Sequence, residues 1–95
     1  MKMLEKKLIK ETNIHSIGIQ GTNDFLLQYY LTKPEENVYG IEIVKAQENA
    51  ITESKHIFDI ITGKDNTLKM LNILFKNQVT PSTFADVVED FLGII

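Results

Sequence analysis

The sequence predicts an α+β domain: an antiparallel meander of about four to five strands, followed by two C-terminal helices packed on one face of the sheet. Apolar residues recur at every second position in much of the first two thirds, which is typical of strands. In the last third they recur at spacings of three and four, which is typical of helices. A chain of 95 residues without a linker-like change in composition is expected to form a single domain over residues 1–95.

The first two predicted strands cover residues 4–10 and 14–20, which together are rich in Ile and Leu. Gly18 weakens the second of these segments and is a position at which a bulge would be expected. Short clusters rich in Gly, Asn and Asp separate the strand-like segments along the chain and predict turns.

A hairpin is predicted in the middle of the chain. Residues 25–32 alternate between two sets of side chains, of which the one at Phe25, Leu27, Tyr29 and Leu31 is the more apolar. Residues 39–44 alternate in the same way, and only the turn-rich cluster around Pro34, residues 33–37, separates the two segments. This short gap favours an antiparallel hairpin.

Residues 51–61 fit two interpretations. Thr52 could cap a helix that carries isoleucines at helical spacing, whereas His56 and Phe58 alternate as they would in a strand. A strand is favoured, because the run is short, is rich in isoleucine near its end and is closed by Thr62 and Gly63.

Two helices are predicted in the last third. Asp65 or Asn66 can cap a helix that runs to about Asn77, and Thr80 can cap a second helix with Pro81 at its first position. The second helix is expected to end at Gly93, with Ile94 folding back on Val88. Its predicted apolar face consists of Phe84, Val87, Val88, Phe91 and Leu92, and its polar face of Asp86, Glu89 and Asp90.

The composition narrows the classes of function. The chain has 10 lysines, no arginine, no cysteine and no tryptophan, so disulfides and thiolate metal sites are excluded and no cofactor is predicted. No apolar run approaches the roughly 18 residues of a membrane span, and we expect a cytoplasmic protein. The first ten residues are basic and the predicted last helix is acidic, which favours their lying close together in the fold.

Several short segments resemble a known family. The segments around Tyr29-Tyr30-Leu31, Tyr39-Gly40-Ile41, Val79-Thr80-Pro81 and Asp86-Val87-Val88 are similar to those of small uncharacterised proteins from clostridial bacteria. The resemblance covers roughly the last two thirds of the chain. It implies a bacterial cytoplasmic origin, and it carries no activity.

The side chains that could perform catalysis are few. His15 and His56 lie on different predicted elements, and a metal site would require both to converge with a carboxylate such as Glu53 or Asp59. In a helix, Glu53 and His56 would have the Glu-x-x-His spacing of carboxylate-bridged metal centres, but those centres need two such pairs. We therefore expect ordinary, partly solvated histidines, no metal and no catalytic residue.

The leading hypothesis is a non-enzymatic protein that binds another protein, with a homodimer through the uncovered face or edge of the sheet as one form. The alternative is a nucleic-acid-associated protein that uses Lys2, Lys6, Lys7 and Lys10 with an aromatic ring of the sheet, which the acidic net charge and the absence of arginine disfavour. An enzyme or ligand carrier with a pocket between sheet and helices is the third. The candidate partner-binding residues are Tyr29, Tyr30, Tyr39, Asp86, Glu89 and Asp90.

Overall fold

The computed structural model describes residues 4–14, 24–59 and 61–92, with the backbone alone at Leu92. Four strands form one antiparallel sheet in the order β1-β2-β3-β4, and two helices follow. The predicted α+β meander is therefore confirmed. The elements are β1 (Glu5–Ile14), β2 (Phe25–Glu35), β3 (Val38–Gln47), β4 (Ala50–Phe58), α1 (Lys64–Lys76) and α2 (Pro81–Leu92).

The predicted central hairpin is confirmed, with Tyr29 opposite Ile43. Its turn is shorter than the predicted cluster 33–37, because β2 continues to Glu35 and a register shift after Thr32 accommodates Pro34, which has no backbone N–H to contribute to a ladder. Asn37 closes the turn with a φ of 62°, a conformation that Asn tolerates better than most residues.

The outer strands differ from the predictions at their ends. β1 continues to Ile14 as one strand with an irregularity after Leu8. The predicted second strand, residues 14–20 with its bulge at Gly18, otherwise lies outside the described residues. For residues 51–58 the strand interpretation is confirmed and the helix interpretation is wrong, because pairing with β3 engages the backbone of β4 up to Phe58. The predicted strand is therefore shorter than residues 51–61.

The core lies between one face of the sheet and the two helices. Leu27, Tyr29 and Leu31 of β2 point to this side, as the predicted alternation requires. The Tyr29 ring meets the edge of Phe75 at 5.8 Å, and its hydroxyl donates a 2.9 Å hydrogen bond to the carbonyl of Val79. Burial raises the pKa of Tyr29 to about 12. The other buried apolar residues of this core are Ile41, Ile43, Met70, Leu71, Leu74, Val79, Phe84 and Val88.

The first turn of α1 is not capped as predicted. The N-cap is Gly63, with a φ of 91°, and neither Asp65 nor Asn66 caps the helix. The helix begins earlier because Thr67, buried against the sheet, donates its hydroxyl to the Gly63 carbonyl at 2.7 Å. The Asn66 amide donates to Thr62 O at 3.1 Å.

Helix α1 ends in a Schellman turn. The N–H of Val79 donates to the carbonyl of Leu74, the N–H of Gln78 donates to that of Phe75, and Leu74 and Val79 are both buried. Gln78 occupies the left-handed position with a φ of 52°. Glycine is the usual residue at this position, because a side chain there is strained.

Helix α2 begins at Pro81 as predicted. The predicted side-chain cap is not observed, because the N–H of Thr83 donates to the Thr80 carbonyl while the Thr80 hydroxyl lies 3.1 Å from the hydroxyls of Ser82 and Thr83. Phe84 and Val88 are buried, but the predicted core residue Phe91 is 55% exposed. The predicted ending at Gly93 and Ile94 lies outside the described residues, as does the side chain of Leu92.

Replacing Gln78 by glycine is expected to raise the free energy of unfolding by about 0.5–1 kcal/mol, because glycine adopts a positive φ without steric cost. Chemical denaturation measures the change. Gln78→Ala is the matched control: it retains the Cβ atom and should leave stability within about 0.5 kcal/mol of the native value. Equal effects of the two substitutions would show that the left-handed conformation is not the source of strain.

Candidate functional site

One face of the sheet is not covered by α1 or α2, and we call it the open face. It carries the side chains of β1 to β4 that alternate with those of the core. Three large apolar residues on it are exposed: Leu8 to 40%, Ile51 to 68% and Phe58 to 38%. Leu4, which lies just before β1, is 53% exposed. Phe91 of α2 is the only other exposed large apolar residue in the described part of the chain.

A charged pair lies between the exposed apolar residues of the open face. Lys6 of β1 and Glu42 of β3 form a salt bridge at 2.5 Å, across β2. The Lys6 ammonium also lies 4.6 Å from the centre of the Tyr30 ring, within the range of a cation–π interaction. The Glu42 side chain is only 17% exposed, so this pair is less screened by solvent than an ordinary surface ion pair.

A second polar contact on the open face joins β2 to β4. The hydroxyl of Thr32 and Nε2 of His56 are 2.7 Å apart, although β3 lies between their strands. The contact is possible because the β3 residue next to it is Gly40. A Cβ atom at Gly40 would lie 2.7 Å from the Thr32 hydroxyl and 2.5 Å from Cβ of Phe58.

The environment of His56 favours the neutral imidazole. Partial burial lowers the pKa of His56 below its ordinary value of 6.5, and Lys6 lowers it further, while Glu42 acts in the opposite direction. The ring also packs against Phe58, with 5.0 Å between centroids. Nε2 of a neutral ring can donate or accept the hydrogen bond with the Thr32 hydroxyl, depending on the tautomer.

The contact between Thr32 and His56 does not form a nucleophilic site in this geometry. Thr32 is completely buried, so a substrate carbonyl could not approach its oxygen, as nucleophilic catalysis requires. Glu53 and His56 lie on opposite faces of β4, because they are three positions apart on a strand. Within the described residues, no three His, Asp or Glu side chains are grouped as a metal site would require.

The spaces between sheet and helices are small or open. The cavity beneath Tyr39, Met70 and Phe84 has a volume of about 20 Å³, enough for one water molecule. A cleft of about 200 Å³ between β1 and the start of α1 is lined by Lys7, Lys64 and other residues, without a histidine. Neither of these two spaces reaches the several hundred Å³ that a small-molecule site usually provides. A third space, of about 440 Å³, lies between β4 and α2 with His56 and Glu89 among its lining residues, and it is wide open to solvent.

The three candidate tyrosines occupy three different environments. Tyr29 belongs to the core, with 0% exposure, because its position alternates onto the helix side, and a partner could not reach it. Tyr30 lies on the open face, partly covered by Lys6. Tyr39 is partly buried near Lys33, whose ammonium lies 5.9 Å from the ring centre.

The acidic residues Asp86, Glu89 and Asp90 are exposed on α2. This helix packs on β4 and β3, whereas β1 is at the far edge of the sheet. The predicted proximity of the basic N-terminal segment to the acidic helix is therefore wrong for the described residues. The structure does not bring these acidic residues together with the candidate tyrosines into one site.

The lysines do not form one basic surface with free aromatic rings. Lys6 points to the open face, whereas Lys10 points to the helix side, where its ammonium lies 5.6 Å from the Phe75 ring. The Lys45 ammonium covers the ring of Phe25 at 4.5 Å. Rings covered in this way are not available to stack on bases, as single-strand recognition requires.

Comparison with known proteins gives one finding. The chain matches a family of unknown function, DUF6514, over residues 7–93. It belongs to the DUF6514 family. Neither the curated proteins nor the solved structures contain a match. The DUF6514 match includes β2, β3, β4 and both helices, and with them Tyr30, Thr32, Glu42 and His56. None of the helices in the described residues has the length and apolar character needed to cross a bilayer.

Sequence reasoning did not identify Thr32, Gly40 or Glu42 as members of a site. Gly40 itself indicates such a site, since a glycine inside a predicted strand often marks a close approach of neighbouring groups. The partners at such a position depend on the register of three strands, which the local pattern does not specify.

Stability is expected to depend on pH through His56. Its pKa is lower in the folded state than the unfolded value of about 6.5, so the unfolded chain binds the proton more readily. The contribution of neutral His56 to the free energy of unfolding is therefore fully present above about pH 6.5. It is lost as the pH falls from there through the folded pKa of His56. Denaturation at several pH values, compared with His56→Gln, isolates this effect because His15 is unchanged. An identical pH dependence in both proteins would contradict it.

Replacing Gly40 by alanine is expected to lower the free energy of unfolding by about 1–3 kcal/mol or more, because the new methyl group would lie 2.5 Å from Cβ of Phe58 and 2.8 Å from the Ile57 carbonyl. Urea denaturation measures the loss. Adding Phe58→Ala should not rescue the variant, since alanine retains Cβ. Native stability in Gly40→Ala would show that β3 and β4 can separate without cost.

Proposed function

We propose that this DUF6514 protein is a non-enzymatic module that binds another protein through the open face of its sheet. The observation that supports this proposal best is the placement of exposed apolar residues: Leu8, Ile51 and Phe58 are all on this face. Single exposed apolar residues are common on protein surfaces, whereas a group on one face is typical of interaction sites.

The polar part of the open face supports the same function. The salt bridge between Lys6 and Glu42 and the contact between Thr32 and His56 satisfy their polar groups before any partner arrives. A partner that covers the face would therefore bury few unpaired polar atoms, whose desolvation would weaken binding. Tyr30, with an apolar ring and a polar tip, is a residue type enriched at interfaces.

The expected partner surface is apolar, with polar groups placed to meet Lys6 and Tyr30. A bacterial, cytoplasmic setting is part of the proposal, in keeping with the absence of cysteine and the frequency of Lys, Ile and Asn. Nucleic acid, the alternative from the sequence, receives no support from the placement of the described lysines, which lie on both sides of the sheet.

The test removes an apolar side chain from the open face without changing charge. Leu8→Ser is expected to reduce capture of the native partner from a lysate strongly, measured by pull-down and mass spectrometry, because apolar contact area is lost. Phe91→Ser is the matched control, since Phe91 is also an exposed large apolar residue but lies on α2, and it should retain the same partner. Capture of the same proteins by all three chains, or of none by the native chain, would contradict the proposal.

A further inference from the structure

The outer edge of β4 has backbone groups available for pairing. The N–H of Asp59 donates to Tyr39 O at 3.0 Å, so the odd-numbered residues of this ladder direct their backbone groups towards β3. The backbone groups of Ser54 and His56 therefore point outwards. No strand of the described residues pairs with this edge. An unpaired edge is a template for another strand.

The side chains along this edge are complementary to themselves. Glu53 and Lys55 flank Ser54 and point to the helix side of the sheet, opposite Lys45 and Ile43 respectively. If a second copy of β4 lies antiparallel with Ser54 opposite Ser54, then Glu53 of each copy is opposite Lys55 of the other. Opposite charges placed directly across two strands attract, and like charges repel.

Neighbouring symmetric registers lack this complementarity. A twofold axis at Lys55 would oppose two lysines, and an axis at Glu53 would oppose two glutamates. In the Ser54 register, the outward backbone groups of the two serines form a hydrogen-bonded pair. The charged residues then form the neighbouring non-hydrogen-bonded pairs, in which side chains are closest.

We propose that two copies of this chain associate through their β4 edges, antiparallel about a twofold axis at Ser54. This deepens the proposed function by naming a second copy as one partner, and it uses the edge and not the open face. The product is a continuous sheet of eight strands, with both pairs of helices on one side and the two open faces joined on the other. Such an isologous contact closes after two copies.

The other edge of the sheet is less suited to self-pairing. β1 carries Lys6, Lys7 and Lys10, and its ladder is irregular after Leu8, both features by which edge strands avoid association. β4 also has an irregularity, next to Thr52, where its register against β3 shifts. The regular ladder of the dimer is therefore short and centred on residues 53–55, and the dimer dissociates on dilution.

A charge exchange tests the register. Lys55→Glu places a glutamate opposite Glu53 of the other copy at both symmetric positions. The repulsion is expected to raise the dimer dissociation constant at least about tenfold. Lys45→Glu/Glu53→Lys/Lys55→Glu restores opposite charges between the copies, keeps an opposite-charge pair where Lys45 and Glu53 form a 3.9 Å salt bridge within the chain, and should restore association to within a few fold of the native value. Sedimentation equilibrium measures the constants, and thermal unfolding confirms that each chain folds. Equal association of the native and Lys55→Glu chains, or a native chain that stays monomeric, would overturn the proposal.

A cross-link provides a second measurement that does not depend on charge. The chain has no cysteine, so Ser54→Cys introduces one thiol at the axis, where the paired Cα atoms would be about 5.5 Å apart, within the reach of a disulfide. Mild oxidation is expected to produce a covalent dimer much faster than in Asn72→Cys, an exposed control on α1. Equal rates would overturn the proposal. Partner capture through Leu8 is measured separately, so that either proposal can fail alone.

Discussion

The burial of a single layer of side chains holds the two helices of this protein over one face of its sheet. Within that layer, Tyr29 contacts both α1 and the turn that precedes α2. Its ring packs against Phe75 of α1, and its hydroxyl donates to the Val79 carbonyl in the turn that leads to α2. This hydrogen bond connects the second strand to a residue 50 positions later. The junction of the helices is thus fixed relative to the middle of the sheet, and both helices take their positions from it.

The size of the helices determines what remains uncovered. Helices of 13 and 12 residues are about 20 Å long, whereas strands of 9 to 11 residues extend over roughly 30 Å. They cover part of one face and none of the other. The open face must then satisfy its own polar groups, and it does so through contacts between strands that are not neighbours: Lys6 with Glu42, and Thr32 with His56.

The parts of the fold that depend on local pattern were predictable from the sequence. Alternation placed Leu27, Tyr29 and Leu31 on one face, and Pro81 marked the start of α2. The predicted caps at Asp65 and Asn66 were wrong, because the burial of Thr67 draws the start of α1 back to Gly63. The contact of Thr32 with His56 depends on the register of three strands and on the lack of a side chain at Gly40, so local pattern could not predict it. Helical spacing predicts a core position for Phe91, but this side chain is exposed. Spacing alone does not show where the sheet beneath a helix ends.

The open face and the β4 edge meet at β4 but use different atoms of it. The side chains of His56 and Phe58 belong to the open face, whereas pairing of the edge uses the backbone of Ser54 and the charges of Glu53 and Lys55 on the opposite side. In the proposed dimer, association through the edge therefore leaves the open face accessible and doubles its extent. Two weak sites held at a fixed distance bind a divalent or repetitive partner much more tightly than either does alone. A small domain with a modest apolar face gains from this arrangement, because it can increase affinity without exposing more apolar surface.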